Sequence, residues 1–108
     1  MTKVRIQKHN GSIVSVECDG HTGYGVEGED IVCSALSSIV QTAALGLMRV
    51  AGIDLDYEVR EEDGYLKFTL PPLSKERRRD ADMILNTLYL GIFDLHEGFS
   101  DFIELEVK

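Results

Sequence analysis

Apolar and polar residues alternate near the start of the chain, as they do in a β-strand that buries one face. The alternation runs on both sides of Asn10-Gly11, a dipeptide that favours the two-residue turn of a β-hairpin. A second alternating pair, Asp56–Arg60 and Tyr65–Leu70, surrounds a turn that contains Gly64. The pattern therefore predicts two hairpins. The apolar positions of the first are Val4, Ile6, Val14, Val16 and Cys18.

Two longer segments repeat apolar residues at helical spacing. The first follows Asp30, a favourable N-cap residue, and ends before Gly52, a favourable helix stop. The second follows Ser74, another N-cap residue, and a closing strand is predicted over Phe102–Val107. The apolar positions of the two helices are Ala35, Leu36, Ile39, Val40, Ala43, Ala44, Leu47 and Met48, and then Ala81, Ile84, Leu85, Leu88, Ile92 and Leu95.

This order of elements predicts an α+β fold. We expect a two-layer sandwich in which two helices cover a mainly antiparallel sheet of four to five strands. The chain has 108 residues, of which 44% are hydrophobic, and this length suits a single domain over residues 1–108.

The net charge and the cysteine content make some classes of function improbable for this chain. The formal net charge of −8 argues against direct binding of nucleic acid and suits a basic peptide or protein partner. The apolar run Ile31–Ile53 is interrupted by polar residues such as Arg49, so we expect no membrane span. The N-terminal residues lack the continuous apolar core of a signal peptide. We therefore expect a cytoplasmic protein in which Cys18 and Cys33 stay reduced.

The glycine-rich, acidic stretch after the first hairpin contains two patterns that resemble ligand sites. Gly23–Gly28 reads GYGVEG and matches the dinucleotide fingerprint, but its acidic neighbours and the lack of a βαβ unit argue against a nucleotide. Cys18, His21 and Cys33 resemble part of a zinc site, yet a closed structural site needs a fourth ligand. We predict neither a cofactor nor a metal.

Cys33 stands near the predicted start of the first helix. With Asp30 as the N-cap, unpaired backbone N–H groups and the helix dipole would lower the pKa of its thiol. An imidazolium at His21, on the loop that leads into this helix, would lower it further. Such a pair carries out nucleophilic acyl transfer, and the same N–H groups could stabilise an oxyanion. The residues alone leave open a second interpretation, a buried helix cysteine and a loop histidine without a catalytic role.

The stretch GHTGYGVEGEDIVCSALSSIV, residues 20–40, resembles the signature of the ribosomal-processing cysteine protease family. In that family Gly-His-x-Gly, a glycine-rich loop and Asp-Ile-Val-Cys-x-x-x-Ser follow one another in this order. The resemblance implies that His21 and Cys33 are the catalytic pair. It also implies that Gly20, Asp30 and Ser37 support the site.

The resemblance implies a substrate and an assembly as well. The protein would be a cysteine endopeptidase that removes the N-terminal extension of large-subunit ribosomal protein twenty-seven, so the precursor of that protein would be its partner. It would also form a homodimer, which a long apolar first helix favours independently. Thr22 and Glu27 depart from the residues that are usual in the family, and we assign them no binding role.

Alternatives remain for the supporting residues and for the function. Asp30 either caps the helix or orients His21, and Ser37 bonds either a polar group of the site or a helix carbonyl. Gly20 supplies an unusual backbone angle or a close approach beside His21. A different class of function also fits the charge, a non-catalytic acidic adaptor that binds a basic ribosomal or regulatory partner.

Overall fold

The computed structural model of the chain describes residues 1–20, 29–60, 62 and 64–108. The first predicted hairpin is confirmed: β1 (Thr2–His9) pairs with β2 (Ser12–Asp19) in antiparallel register. Asn10 and Gly11 join the two strands with φ angles of 53° and 81°. Positive φ at both positions is what a two-residue type I′ turn requires, so the Asn-Gly dipeptide sets the register of this hairpin.

A β-bulge in β2 changes which of its residues face the helices. The register passes from Gln7↔Ser15 to Lys8↔Ile13, which leaves Val14 as the extra residue. A bulge of this kind reverses the alternation of side chains beyond it. Ile13, rather than the predicted Val14, is therefore fully buried in the core.

The remaining strands complete a five-stranded sheet. The second hairpin joins β3 (Asp56–Arg60) to β4 (Tyr65–Thr69), and β5 (Ile103–Val107) closes the sheet. The order is β3-β4-β2-β1-β5. Every neighbouring pair is antiparallel except β1 and β5, which run parallel. The predicted α+β fold with a mainly antiparallel sheet is confirmed.

Two helices lie where the periodicity predicted them. The first, α1, spans Glu29–Leu45 and continues as a π-helical segment, Gly46–Val50. The second, α2, spans Lys75–Gly98. Ser74 caps α2, because its hydroxyl oxygen accepts a hydrogen bond from the backbone N–H of Arg77 at 3.2 Å, as predicted.

The start of α1 differs from the prediction, which made Asp30 the N-cap. The described helix already includes Glu29, so Asp30 lies within the helix and is not its N-cap. Only the first four N–H groups of a helix lack an intrahelical partner, and Cys33 lies beyond them.

One face of the sheet carries the core together with one side of each helix. The residues that fill it are largely aliphatic, with Phe68 of β4 fully buried among them. From β1 and β2 come Val4, Ile6, Val16 and Cys18, and from α1 come Val32, Leu36, Val40, Ala43 and Ala44.

The first helix also has the length and hydropathy of a membrane span. Ile31–Val50 has a mean hydropathy of 1.8 over its most apolar window. Core helices meet the same two criteria, and one such helix is weak evidence for a span. Here Val32, Leu36 and Val40 lie in the core against the sheet. This packing accounts for the apolar character of that side of the helix.

Candidate active site

Cys33 lies partly exposed in the wall of a cavity of about 390 Å³. The cavity is bounded by α1, by the first residues of β1, by the end of β2 and by the hairpin of β3 and β4. Its apolar lining includes Leu36, Val59 and Leu66, and its polar lining includes Ser37 and Gln41. A thiol in the wall of a peptide-sized cleft can reach a carbonyl group that enters from solvent.

The side chain of Thr2 forms a hydrogen-bond contact with the Cys33 sulfur. The distance from Thr2 Oγ1 to Cys33 Sγ is 2.7 Å. Thr2 is itself buried, with 4% of its surface exposed, although it is polar. The sequence pattern did not predict this contact. Thr2 alternates with Val4 and Ile6, and this period-two pattern was the one signal that placed it on the helix-facing side.

Gly20 lies directly against the start of β1. A Cβ atom added at Gly20 would meet the carbonyl oxygen of Met1 and would lie 3.0 Å from Thr2 Cα. The φ angle of Gly20 is +132°, which side-chain-bearing residues rarely adopt. Both roles predicted for Gly20, an unusual backbone angle and a close approach, are present in the structure.

The structure describes the positions of only some of the other predicted site residues. Ser37 lines the same cavity as Cys33, one helical turn further along α1. Asp30 belongs to the first turn of α1, but its side chain lies outside the described residues. His21 and the glycine-rich loop also lie outside them. The pairing of His21 with Cys33 and the supporting role of Asp30 therefore stay predictions.

Cys18 differs sharply from Cys33. Only 5% of its surface is exposed, as predicted for a core residue. Burial raises the pKa of the Cys18 thiol to about 12, with smaller contributions from the charges of Glu17 and Cys33. A thiol with this pKa is almost entirely protonated near neutral pH. Since the thiolate is the nucleophile, Cys18 is chemically inert in the folded protein.

We expect Cys33 to be alkylated by iodoacetamide at about pH 6 in the folded protein, and Cys18 to remain unmodified. The reason is the difference in exposure together with the raised pKa of Cys18. Mass spectrometry of proteolytic fragments measures the two rates separately. In urea both thiols should react at similar rates, which serves as the control. Equal rates in the folded protein would contradict the assignment of Cys33 as the activated thiol.

Replacing Gly20 by alanine is expected to reduce the free energy of unfolding by about 1–3 kcal/mol. The new Cβ must displace the start of β1, which carries Thr2, so cleavage activity should fall as well. Gly11→Ala is the matched control, because Gly11 also has a positive φ but has open space around it. Urea titration and a peptide cleavage assay measure the two effects. A Gly20→Ala protein as stable and active as Gly11→Ala would show that the close approach is unimportant.

A hydrogen-bonded tyrosine forms part of the cavity on the sheet side. Tyr65 lines the cavity and donates a hydrogen bond from its hydroxyl to Glu17 Oε2 at 2.6 Å. Arg5 donates to the other carboxylate oxygen at 2.8 Å, and the Arg60 guanidinium lies 4.1 Å from the centre of the Tyr65 ring. The hydrogen bond to Glu17 raises the pKa of Tyr65 to about 12 and, with Arg5, lowers that of Glu17. These contacts hold the ring in one place beside the cleft.

The described residues do not provide a metal site. Across residues 1–20, 29–60, 62 and 64–108, no three or more His, Cys, Asp or Glu side chains are grouped as metal ligands would be. The GYGVEG stretch and the His21 ligand of the zinc alternative lie outside those ranges. What the described part of the cleft offers is therefore a thiol, hydroxyl groups and an apolar wall.

The chain matches a family of cysteine proteases. The family model described as cysteine protease Prp matches residues 1–104. The ribosomal processing cysteine protease Prp of Bacillus subtilis is 25% identical over 96 residues, which cover 88% of this chain and 86% of that protein. Its namesake from Staphylococcus aureus is 22% identical over 98 residues, which cover 91% and 90%.

Solved structures show the same fold. A Staphylococcus aureus Prp in complex with a substrate peptide has a TM-score of 0.89 at 22% identity, with both chains covered completely. A protein from Streptococcus mutans has a TM-score of 0.88 at 28% identity, covering 99% of this chain and 93% of that one. The fold described above is therefore shared with solved structures.

Proposed function

We propose, because the chain belongs to the cysteine protease Prp family, that it removes the N-terminal extension of large-subunit ribosomal protein twenty-seven, with Cys33 as nucleophile and His21 as its base. The observation that carries the proposal is the position of Cys33, partly exposed in the wall of a cleft of about 390 Å³, while Cys18 is buried. Membership of a protease family favours this function over the non-catalytic adaptor that the acidic composition also allowed.

The chain path near Gly20 supports the pairing of His21 with Cys33. Gly20 packs against Thr2, and the Thr2 hydroxyl lies 2.7 Å from Cys33 Sγ. Gly20 is the residue before His21 in the sequence, so the described chain ends near the thiol at this point.

In the proposed reaction, His21 accepts the thiol proton of Cys33 and the sulfur attacks the scissile carbonyl carbon. The tetrahedral intermediate collapses as the C–N bond breaks, and the leaving amine takes the proton from His21. A water molecule then attacks the thioester while His21 accepts its proton. The C–S bond then breaks, the carboxylic acid product leaves, and His21 returns the proton to the Cys33 sulfur.

The substrate proposal rests on the relatives and on charge. The relatives from Bacillus subtilis and Staphylococcus aureus are named ribosomal processing proteases, and a Staphylococcus aureus Prp structure holds a substrate peptide. A net charge of −8 suits a basic ribosomal protein as the partner. The apolar and polar sides of the cleft would hold an extended peptide with its carbonyl group near Cys33.

Incubation with the purified precursor of ribosomal protein twenty-seven tests this proposal. We expect intact-mass spectrometry to show a shorter protein with one new N-terminus, and no shortening when the Cys33→Ala protein is used. If the precursor stays intact while the same enzyme preparation cleaves an unrelated peptide in a reaction that needs Cys33, the proposed substrate is wrong. A precursor cut equally well by Cys33→Ala would overturn the nucleophile.

We propose a homodimer as the working form of the enzyme. An apolar groove of about 630 Å³ runs between α1 and α2 on the side away from the sheet, with Ile39 and Leu88 in its walls. Met83 beside it is 68% exposed, which is high for a large apolar side chain. Sedimentation at micromolar concentration should give twice the chain mass of 12.1 kDa. A monomer mass would contradict the dimer. A dimer mass that Met83→Glu leaves unchanged would contradict the groove as its interface.

We also propose that the enzyme works in the cytoplasm. Its substrate would be a newly made ribosomal protein, and the chain keeps both cysteines as free thiols, as proteins of a reducing compartment do. Fractionation of cells that express the protein, followed by immunoblotting, should recover it with the cytoplasmic fraction. Recovery with the membrane or secreted fractions would overturn this assignment.

A further inference from the structure

The side chain of Thr2 occupies an unusual position for a polar residue at the start of a strand. It is buried, with 4% of its surface exposed, and its hydroxyl lies 2.7 Å from Cys33 Sγ. The two residues are 31 positions apart in the sequence, so the contact arises from the way that α1 packs on β1.

We propose that Thr2 is a positioning residue, whose hydroxyl donates a hydrogen bond to the Cys33 thiolate and holds the sulfur towards the cleft. This inference rests on the proposed role of Cys33 as nucleophile. It goes beyond the predicted site, in which Thr2 had no part.

The direction of the hydrogen bond follows from the charge state. Either atom can donate while Cys33 is a thiol, but a thiolate has no hydrogen, so Thr2 must then be the donor. A hydrogen bond donated to the charged form stabilises that form relative to the neutral one. The Thr2 hydroxyl thus stabilises the reactive state of Cys33.

The start of α1 does less for this thiolate than the sequence suggested. Glu29 is already helical, so Cys33 lies beyond the unpaired N–H groups of the helix start. The effect of the helix dipole falls off within the first turn. A side-chain donor beside the sulfur therefore contributes more to the stability of this thiolate than it would for a cysteine within the first turn.

The backbone on both sides fixes Thr2 in place. Its N–H donates to the carbonyl oxygen of Phe102 at 2.9 Å, and it pairs with Ile103 of β5. Gly20 packs against it from the end of β2 with no room for a side chain between them. A donor held in this way is organised before substrate arrives, which is what an efficient site needs.

The titratable residues that line the described part of the cavity are Cys18, Cys33 and Tyr65. Two further charged groups are close by in the chain, because the Met1 amino group adjoins Thr2 and Asp19 adjoins Gly20. From β2 the cavity receives Cys18, and from β4 it receives Tyr65, each with its pKa raised to about 12. Glu17, which accepts the Tyr65 hydrogen bond, has a lowered pKa and stays charged near neutral pH. Among the described residues that line the cavity, Cys33 is thus the titratable group to follow, and His21 is followed with the His21→Ala variant.

Two substitutions test the hydroxyl directly. Thr2→Val keeps the branched shape that suits a strand but removes the donor, and Thr2→Ser keeps the donor. The pH dependence of Cys33 alkylation by iodoacetamide, measured by mass spectrometry, is the first readout. We expect Thr2→Val to move the midpoint upward by about one pH unit, the size expected for loss of a charge-assisted hydrogen bond. Thr2→Ser should stay close to the wild type.

Peptide cleavage gives the second readout. In Thr2→Val, kcat below the shifted midpoint should fall about tenfold, since each pH unit changes the thiolate fraction tenfold, while KM stays constant. The loss should shrink as the pH rises, and Thr2→Ser should restore the wild-type profile. Thr69→Val, a strand substitution outside the cavity, is the control for removing a threonine hydroxyl.

The outcomes separate this inference from the proposed function. Unchanged midpoints and rates in Thr2→Val would overturn the role of Thr2 while leaving Cys33 as nucleophile. A Thr2→Ser protein as impaired as Thr2→Val would show that shape matters and not the hydroxyl, which also overturns it. Should Thr2→Val not fold by circular dichroism, Thr2→Ala supplies the same comparison without added bulk. Cleavage that survives Cys33→Ala would instead overturn the proposed function.

Discussion

Replacing Cys33 by alanine is expected to lower the rate of precursor cleavage by about 10⁴-fold or more, as the loss of a covalent nucleophile does in other proteases. The side chain is only partly buried and lies in the wall of the cleft. Its removal should therefore change the free energy of unfolding by less than about 1 kcal/mol. The cleavage rate is measured by mass spectrometry of the precursor and the stability by urea titration.

Cys18→Ala is the matched control for this experiment, because it also removes one sulfur atom. Cys18 lies in the core with 5% of its surface exposed. We expect that variant to lose about 1 kcal/mol of stability and to keep its activity. If Cys18→Ala lost activity and Cys33→Ala kept it, the assignment of Cys33 as the nucleophile would be contradicted.

Replacing His21 by alanine is expected to produce the second large effect. Loss of a general base typically lowers kcat by about 10²- to 10⁴-fold. The substitution also removes the cation that would stabilise the Cys33 thiolate, so alkylation of Cys33 at about pH 6 should slow in parallel. KM should change little, because the apolar wall of the cleft stays intact.

His9→Ala is the control for the loss of a histidine. His9 is exposed at the end of β1, away from the residues that line the cleft. Its replacement should leave kcat and the pH profile as they are. If His21→Ala and His9→Ala cleave the precursor at the same rate, the base must be a different residue.

Local chemistry made the elements of this fold predictable. The Asn10-Gly11 turn, the Ser74 cap and the two hairpins follow from interactions between residues close in sequence. Two features depend on tertiary packing and were not predicted. One is the bulge at Val14, which turns Ile13 into the core. The other is the parallel pairing of β1 with β5, since strand periodicity carries no information about direction.

The sequence identified candidate residues of the site but not their contacts. Gly20, Cys33 and Ser37 lie at or beside the cleft, and the roles that the resemblance implied for them stay predictions. The prediction of Asp30 as the N-cap was wrong, because the boundaries of helices vary with small free-energy differences at their ends. The residues that lie around Cys33 in the cavity are far from it in the sequence. Thr2 reaches it from β1 and Tyr65 completes the cleft from β4, and local sequence patterns do not report such distances.

The most direct test of the account is to map a label directed at the active site. A peptide chloromethyl ketone, built from the residues that precede the cut found in the precursor, is incubated with the folded enzyme and located by mass spectrometry. We predict one label per chain on Cys33, none on Cys18, complete loss of cleavage, and protection when excess precursor is present. Loss of cleavage with the label on any other residue, and with Cys33 unmodified, would contradict the central claim.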